Sequence, residues 1–170
     1  MLKTIKRTTR PLLYLAIWAC AAFIGGCGKD QTWKTGSQAP PISVLDLQDA
    51  TVKLSDFKGK VVVLRFWATG CSDCIKGMPA LDRFRGKYSA DDLAVLGVNV
   101  GGSKELVAAF AKGLKLSYPM LLDSASLASK KYLVRSVPTT FFIDRQGVAK
   151  QVIPGEVSQK MFDEIVGRLL

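Results

Sequence analysis

Cys71 and Cys74 stand with two residues between them, where an apolar run ends and a helix-periodic segment begins. A strand that delivers a Cys-x-x-Cys pair to a helix start is a device for making and breaking disulfides. The reacting species is the thiolate. A free cysteine, with a pKa of about 8.5, is mostly protonated at neutral pH, and a helix N-terminus favours the charged form. The 170 residues include no histidine. That removes histidine-assisted nucleophiles, histidine metal ligands and histidine general bases together. What is left is cysteine chemistry, or carboxylate and lysine chemistry, and the spacing points to thiol-disulfide exchange.

Such a pair needs a rigid strand before it and a helix after it. Val61–Trp67 is almost continuously apolar and β-branched, the pattern of a central strand buried on both faces, interrupted by Arg65. After Cys74, apolar residues at Ile75, Met78, Leu81, Phe84 and Tyr88 fall at helical spacing, with Pro79 inside to kink the helix. Leu93–Val100 reads as a second buried strand. Gly101–Ser103 offers a turn and an N-cap for a helix carrying Leu106, Val107, Phe110 and Leu114. Pro119–Leu122 predicts a short strand, and Ser124–Tyr132 a short helix. Thr139–Ile143 and Val148–Ile153 flank the turn Asp144–Gly147 as a hairpin. Ser158 caps a last helix with Phe162, Ile165, Val166 and Leu169 on one face. Ahead of all this, Ile42–Leu47 and Thr51–Leu54 read as a β-hairpin, and Leu54–Gly59 as a helical turn. Alternating strands and helices with a closing hairpin predict an α/β domain: a mixed central sheet flanked by helices on both faces, with an N-terminal β-hairpin extension.

The rest of the chain concerns location. Residues 1–10 are basic, with Lys3, Lys6, Arg7 and Arg10, and an uncharged apolar stretch follows from Leu12 to Gly28. This pattern predicts an export signal or membrane anchor over 1–26, with everything after it outside the cytoplasm. Ile24-Gly25-Gly26-Cys27 resembles a bacterial lipobox, which makes Cys27 the candidate lipidation site. An uncleaved anchor is the rival reading. Residues 27–38 are polar and read as a tether, and 39–170 as the folded domain. With Cys20 and Cys27 in the leader, no cysteines remain for a structural disulfide framework. The net charge of +10 describes a basic surface, and no basic run interleaved with aromatics indicates nucleic-acid binding.

An ordered set of short segments carries a family resemblance. It comprises Ala39-Pro40, Leu54–Lys60, Phe66-Trp67-Ala68-Thr69 before Cys71-x-x-Cys74, Pro79, and Val137-Pro138-Thr139-Thr140-Phe141-Phe142-Ile143-Asp144. Over 39–170 the chain resembles the thioredoxin superfamily, in its branch of TlpA/ResA-like membrane-tethered oxidoreductases. The resemblance implies a thioredoxin-like fold with Cys71 attacking and Cys74 resolving. It implies a cis Val137-Pro138 beside them, whose backbone pairs with an extended partner strand, and Trp67 as a platform under the site. No cofactor is implied beyond the redox-active Cys71–Cys74 disulfide, and no metal. The implied partners are protein thiols and disulfides, among them apocytochrome c, together with a membrane thiol-reductant donor of DsbD/CcdA type.

Four positions bear on tuning. Asp73 raises the Cys71 pKa if it points inward, and acts only as a solvent-screened helix-start acid if it does not. Gly70 replaces the aromatic common before the first cysteine and opens the rim. Gly77 stands where the relatives often carry a glutamate. Arg65 stands on the central strand where cytoplasmic thioredoxins carry a buried acid; it must snorkel out or pair with an acid, and near the thiols it would lower their pKa. Three other functions fit the sequence less well. A copper- or metal-handling module lacks the histidine and wider cysteine spacing it needs. A thiol peroxidase lacks the Pro-x-x-x-Thr-x-x-Cys pattern. A non-catalytic binding module would not need the intact cysteine pair and proline.

Overall fold

The computed structural model describes residues 34–170. The expected leader, Cys27 and most of the tether lie outside the described residues. Seven strands and four helices follow in order: β1 (Ser43–Asp46), β2 (Thr51–Lys53), a 3-10 turn (Leu54–Phe57), β3 (Val61–Trp67), α1 (Ser72–Arg85), β4 (Leu93–Val100), α2 (Lys104–Gly113), β5 (Met120–Asp123), α3 (Leu127–Lys131), β6 (Thr139–Ile143), β7 (Ala149–Pro154) and α4 (Gln159–Leu169). They build one sheet in the order β2-β1-β5-β4-β3-β6-β7.

All seven residues of β3 are buried, Arg65 included, as its almost continuous apolar run leads one to expect. It pairs parallel with β4, Val63 against Val95 and Trp67 against Asn99, and antiparallel with β6, Phe66 against Thr139. Side chains alternate across the sheet. Val61, Val63 and Trp67 join Met78, Leu81, Val107 and Phe162 in one core, so α1, α2 and α4 cover that face. Val62, Leu64 and Phe66 join Phe141, Ala128 and Tyr132 in the other, under α3 and the N-terminal segment. This is the mixed, doubly covered sheet that the alternation of elements predicts. The N-terminal hairpin pairs Val44 with Val52 and adds to the sheet edge through Leu45 against Leu122 of β5.

Two elements differ from the sequence reading. The helix expected over Ser124–Tyr132 begins only at Leu127, because Ser126 takes a left-handed conformation (φ 54°) that breaks the helical path. Its first N–H groups are held instead by the buried Asp123 carboxylate, which accepts from Ala128 at 3.0 Å and Ser129 at 2.8 Å. The second hairpin strand runs to Pro154. Its turn closes on Gly147 at φ 82°, a conformation that favours glycine, with Asp144 Oδ1 accepting from Gln146 and Val148.

Candidate active site

The cysteines sit where β3 hands over to α1. Ala68–Gly70 form a turn closed by Cys71 N–H on the Ala68 carbonyl at 3.1 Å, and Cys71 is the N-cap of α1. The two sulfurs are joined as a disulfide across a Cα–Cα distance of 5.2 Å. The pair is asymmetric: Cys74 is fully buried and Cys71 half-buried. The Cys74 N–H, one of the free donors of the helix start, points at Cys71 Sγ at 3.1 Å. Charge on Cys71 would therefore meet a hydrogen-bond donor and the positive end of the helix.

Pairing of β6 with β3 brings the segment before Thr139 level with the end of β3. Val137-Pro138 is a cis peptide there, and the Val137 carbonyl lies 3.6 Å from Cys71 Sγ. As a disulfide Cys71 has no S–H to donate, so this is a contact that the thiol form could turn into a hydrogen bond. The loop is pinned by Thr139 Oγ1 donating to Ser136 at 2.7 Å and by Gly155 N–H donating to the Pro138 carbonyl at 2.7 Å. Trp67 is buried in the core cluster that holds Cys74, against which Cys71 packs, and meets Phe110 edge-on at 6.2 Å.

The chain from residue 35 to 152 matches the model of the AhpC/TSA family. It is 32% identical to the thiol-disulfide oxidoreductase ResA of Geobacillus kaustophilus over 158 residues, covering 93% of this chain and 91% of that protein. The chain belongs to the AhpC/TSA family, among its ResA-like thiol-disulfide oxidoreductases. The thioredoxin-like protein YneN of Bacillus subtilis is 38% identical over 132 residues, 76% of each chain. The fold is shared with a solved thiol:disulfide interchange protein of the thioredoxin family from Chlorobium tepidum. The TM-score is 0.71 at 24% identity, over 81% of this chain and 99% of that one.

In this ResA-like oxidoreductase the tuning positions separate clearly. Asp73 lies on the outer face of α1 with its side chain 73% exposed, 3.8 Å from Lys76, the solvent-screened arrangement of the two considered. Gly70 has open space around it. Arg65 does not snorkel out. It is 1% exposed, on the α1 side of β3, with its guanidinium 2.5 Å from the Glu156 carboxylate and 3.4 Å from Thr140 Oγ1. Glu156 follows β7, and its carboxylate fills the space beside Gly77: a Cβ on Gly77 would overlap it. Position 77 carries no acid, yet an acid from another element occupies that place. Glu156 is the residue that reading the sequence missed. Its signals were a buried arginine that demands an acid and a glycine inside a helix. Nothing in the spacing along the chain connects either to position 156.

Near this pair, Tyr118 is buried, and its hydroxyl has no hydrogen-bond partner. Burial pushes its pKa well above the usual tyrosine value, helped by Asp82 and Glu156 and opposed by Arg65. The cavity of about 440 Å³ lined by Leu54, Phe57, Val62 and Ile143 opens at the other end of the sheet, away from the cysteines.

Proposed function

We propose that this protein reduces protein disulfides outside the cytoplasm, held to the membrane by a lipid on Cys27 or by an N-terminal anchor. The observation that carries the direction of attack is the asymmetry of the pair. Cys71 is partly exposed and receives a helix-start N–H, while Cys74 is fully buried. The Cys71 thiolate attacks a partner disulfide, and the partner's second sulfur leaves as a thiolate. Cys74, deprotonated, then attacks Cys71 Sγ. The Cys71–partner bond breaks, the partner departs with its second thiolate, and the Cys71–Cys74 disulfide remains. Two electrons have passed to the partner. A membrane thiol donor of DsbD/CcdA type restores the dithiol by the reverse exchange.

The Val137 backbone offers an edge for an extended partner segment to pair with, as strand-adding recognition requires. Beside it lies a shallow cavity of about 350 Å³ walled by Ala68, Val100, Val134 and Val137 and rimmed by Lys130 and Arg135. Extended, unfolded chains such as apocytochrome c before haem attachment suit such an edge. Trp67 keeps the turn below the cysteines rigid, and Pro138 holds Val137 against Cys71.

The test is twofold. Cys74→Ala should accumulate a mixed disulfide through Cys71 with its envelope partner, and Cys71→Ala should not. Equilibrium of the pair with glutathione or dithiothreitol should place its potential near the reducing end of the superfamily, about −270 mV. A value near the oxidising end, about −120 mV, overturns the reductase reading.

A further inference from the structure

Arg65 is a buried charge that exchange between two cysteines does not call for. A guanidinium at 1% exposure on the central strand is costly unless it is paired. Alternation along β3 puts it between Val63 and Trp67 on the side covered by α1. Its partners are Thr140 and Glu156. Glu156 comes from the loop between β7 and α4, next to Gly155, whose N–H is bonded to the carbonyl of Pro138. The acid is thus carried by a loop fastened to the proline that flanks Cys71. Its carboxylate rests against α1 at Gly77, where any Cβ would collide with it. A glycine inside a helix is destabilising relative to alanine, and here the missing Cβ is what admits the carboxylate. Gly77 lies three residues after Cys74 on the same side of α1, about 5–6 Å away. Residues from a strand, a helix and a loop thus converge one helical turn from the buried sulfur.

We propose that Arg65 and Glu156 act as a single charge-setting unit for the Cys71–Cys74 pair, admitted to α1 by Gly77, with Glu156 as the positioning residue that cancels the field of Arg65 at the thiols. Uncancelled, the guanidinium favours thiolates. That stabilises the dithiol against the disulfide and makes the pair a weaker reductant. With the carboxylate alongside, the two fields largely offset each other, and the dithiol keeps its reducing power. The other charged or titratable groups around the unit have their own settings. Asp82 of α1 accepts from Ser117, Asp73 and Lys76 face each other on the outer surface, and Tyr118 is buried as the neutral phenol. Among the described residues, none of these is bonded to Arg65. The inference rests on thiol-disulfide exchange at this pair, not on the direction of electron flow or the partner.

The test titrates the thiols of the full-length protein by thiolate absorbance and equilibrates the pair with glutathione. Glu156→Gln keeps the shape and removes the charge. One charge about a helical turn away in a partly hydrated setting is worth about one pKa unit. Glu156→Gln is therefore expected to lower the thiol midpoint by about one unit and, at a pH above both midpoints where thiolates predominate, to shift the glutathione equilibrium about tenfold towards the dithiol, or about 30 mV. Gly77→Ala, which pushes the carboxylate away, should move both in the same direction. Glu156→Asp should stay closer to the parent protein than Glu156→Gln does. Arg65→Met combined with Glu156→Gln should return both readings to within about twofold of the parent, since no charge is left to cancel. The proposal is overturned if Glu156→Gln leaves both readings unchanged, or if the double variant keeps the single variant's shift. A purely structural pair would change stability without that reversal. If Gly77→Ala does not fold, the Glu156→Gln and double-variant comparison decides alone. Exchange itself is tested separately, because any interconversion of dithiol and disulfide in the same titration shows it intact.

Discussion

Replacing Arg65 by methionine tests what the buried pair contributes to stability. The two residues have similar volume, although methionine is two atoms shorter, so the methionine would fill much of the space between Val63 and Trp67 without a large cavity. The loss is the ion pair at 2.5 Å and the 3.4 Å contact to Thr140 Oγ1. The gain is release from desolvating a guanidinium at 1% exposure, one of whose nitrogens, Nε, has no partner at all. Exchanging a buried ion pair for apolar residues of similar volume is often neutral or stabilising by about 1–4 kcal/mol. Glu156 then remains, but its side chain is 43% exposed and rehydrates cheaply. The Thr140 hydroxyl, fully buried, loses a long contact that contributes no more than about 1 kcal/mol. Arg65→Met should therefore lie within about 1 kcal/mol of the parent protein, on either side. Glu156→Ala acts the other way. It leaves the guanidinium buried and unpaired, a loss of about 3–5 kcal/mol when no water can enter. The half-exposed position of Glu156 lets water in, so about 2 kcal/mol is expected. Urea unfolding of the oxidised protein, at an unchanged denaturant slope, measures both. If Arg65→Met costs more than about 3 kcal/mol while Glu156→Ala is neutral, the desolvation reasoning is wrong.

Other perturbations follow from the same contacts. Tyr118→Phe removes a buried hydroxyl without a partner and should stabilise the fold by about 1 kcal/mol. Because burial raises the folded-state pKa of Tyr118 above the unfolded value near 10, the stability it lends is complete below about pH 10 and falls as pH rises beyond it. Thermal unfolding of Tyr118→Phe should therefore show a shallower alkaline decline; an identical decline would refute this. Asp123→Ala strips the two N–H groups at the start of α3 of their acceptor, and should cost about 1–3 kcal/mol in urea unfolding. Asp163 has its carboxyl held below the usual range by hydrogen bonds from Gln159, Lys87 and Tyr88. Its contribution is present above the unfolded value near 4 and fades as pH falls through the folded one, so Asp163→Asn should flatten the acid limb of the stability curve.

Local sequence was enough to read each element that carries the cysteines. The run Val61–Trp67 is too apolar and too β-branched for anything but a buried strand, and it forms one over those residues. Of the apolar residues after Cys74, Met78, Leu81 and Phe84 are buried with Cys74 on one helical face, whereas Ile75 stays out of that core and Tyr88 lies beyond the helix end at Arg85. Where the element reading failed, backbone conformation had decided. The short helix α3 begins late because Ser126 takes a left-handed conformation, with the Asp123 carboxylate just upstream accepting from its first N–H groups.

The sequence by itself determined the chemistry: two cysteines at a strand-to-helix junction, no histidine to compete, and an ordered set of motifs that leads to the thioredoxin fold. Those features are local, and their spacing along the chain is their spacing in space to within a turn of helix. Only the tertiary structure decided how that chemistry is set. Val137 is 66 residues from Cys71, and Glu156 is 91 from Arg65, yet each touches its partner. The reason is the sheet order, which puts β3 between β4 and β6 and folds the β7–α4 loop back over α1. A buried arginine announces that it needs an acid; which acid reaches it depends on packing that no spacing along the chain records.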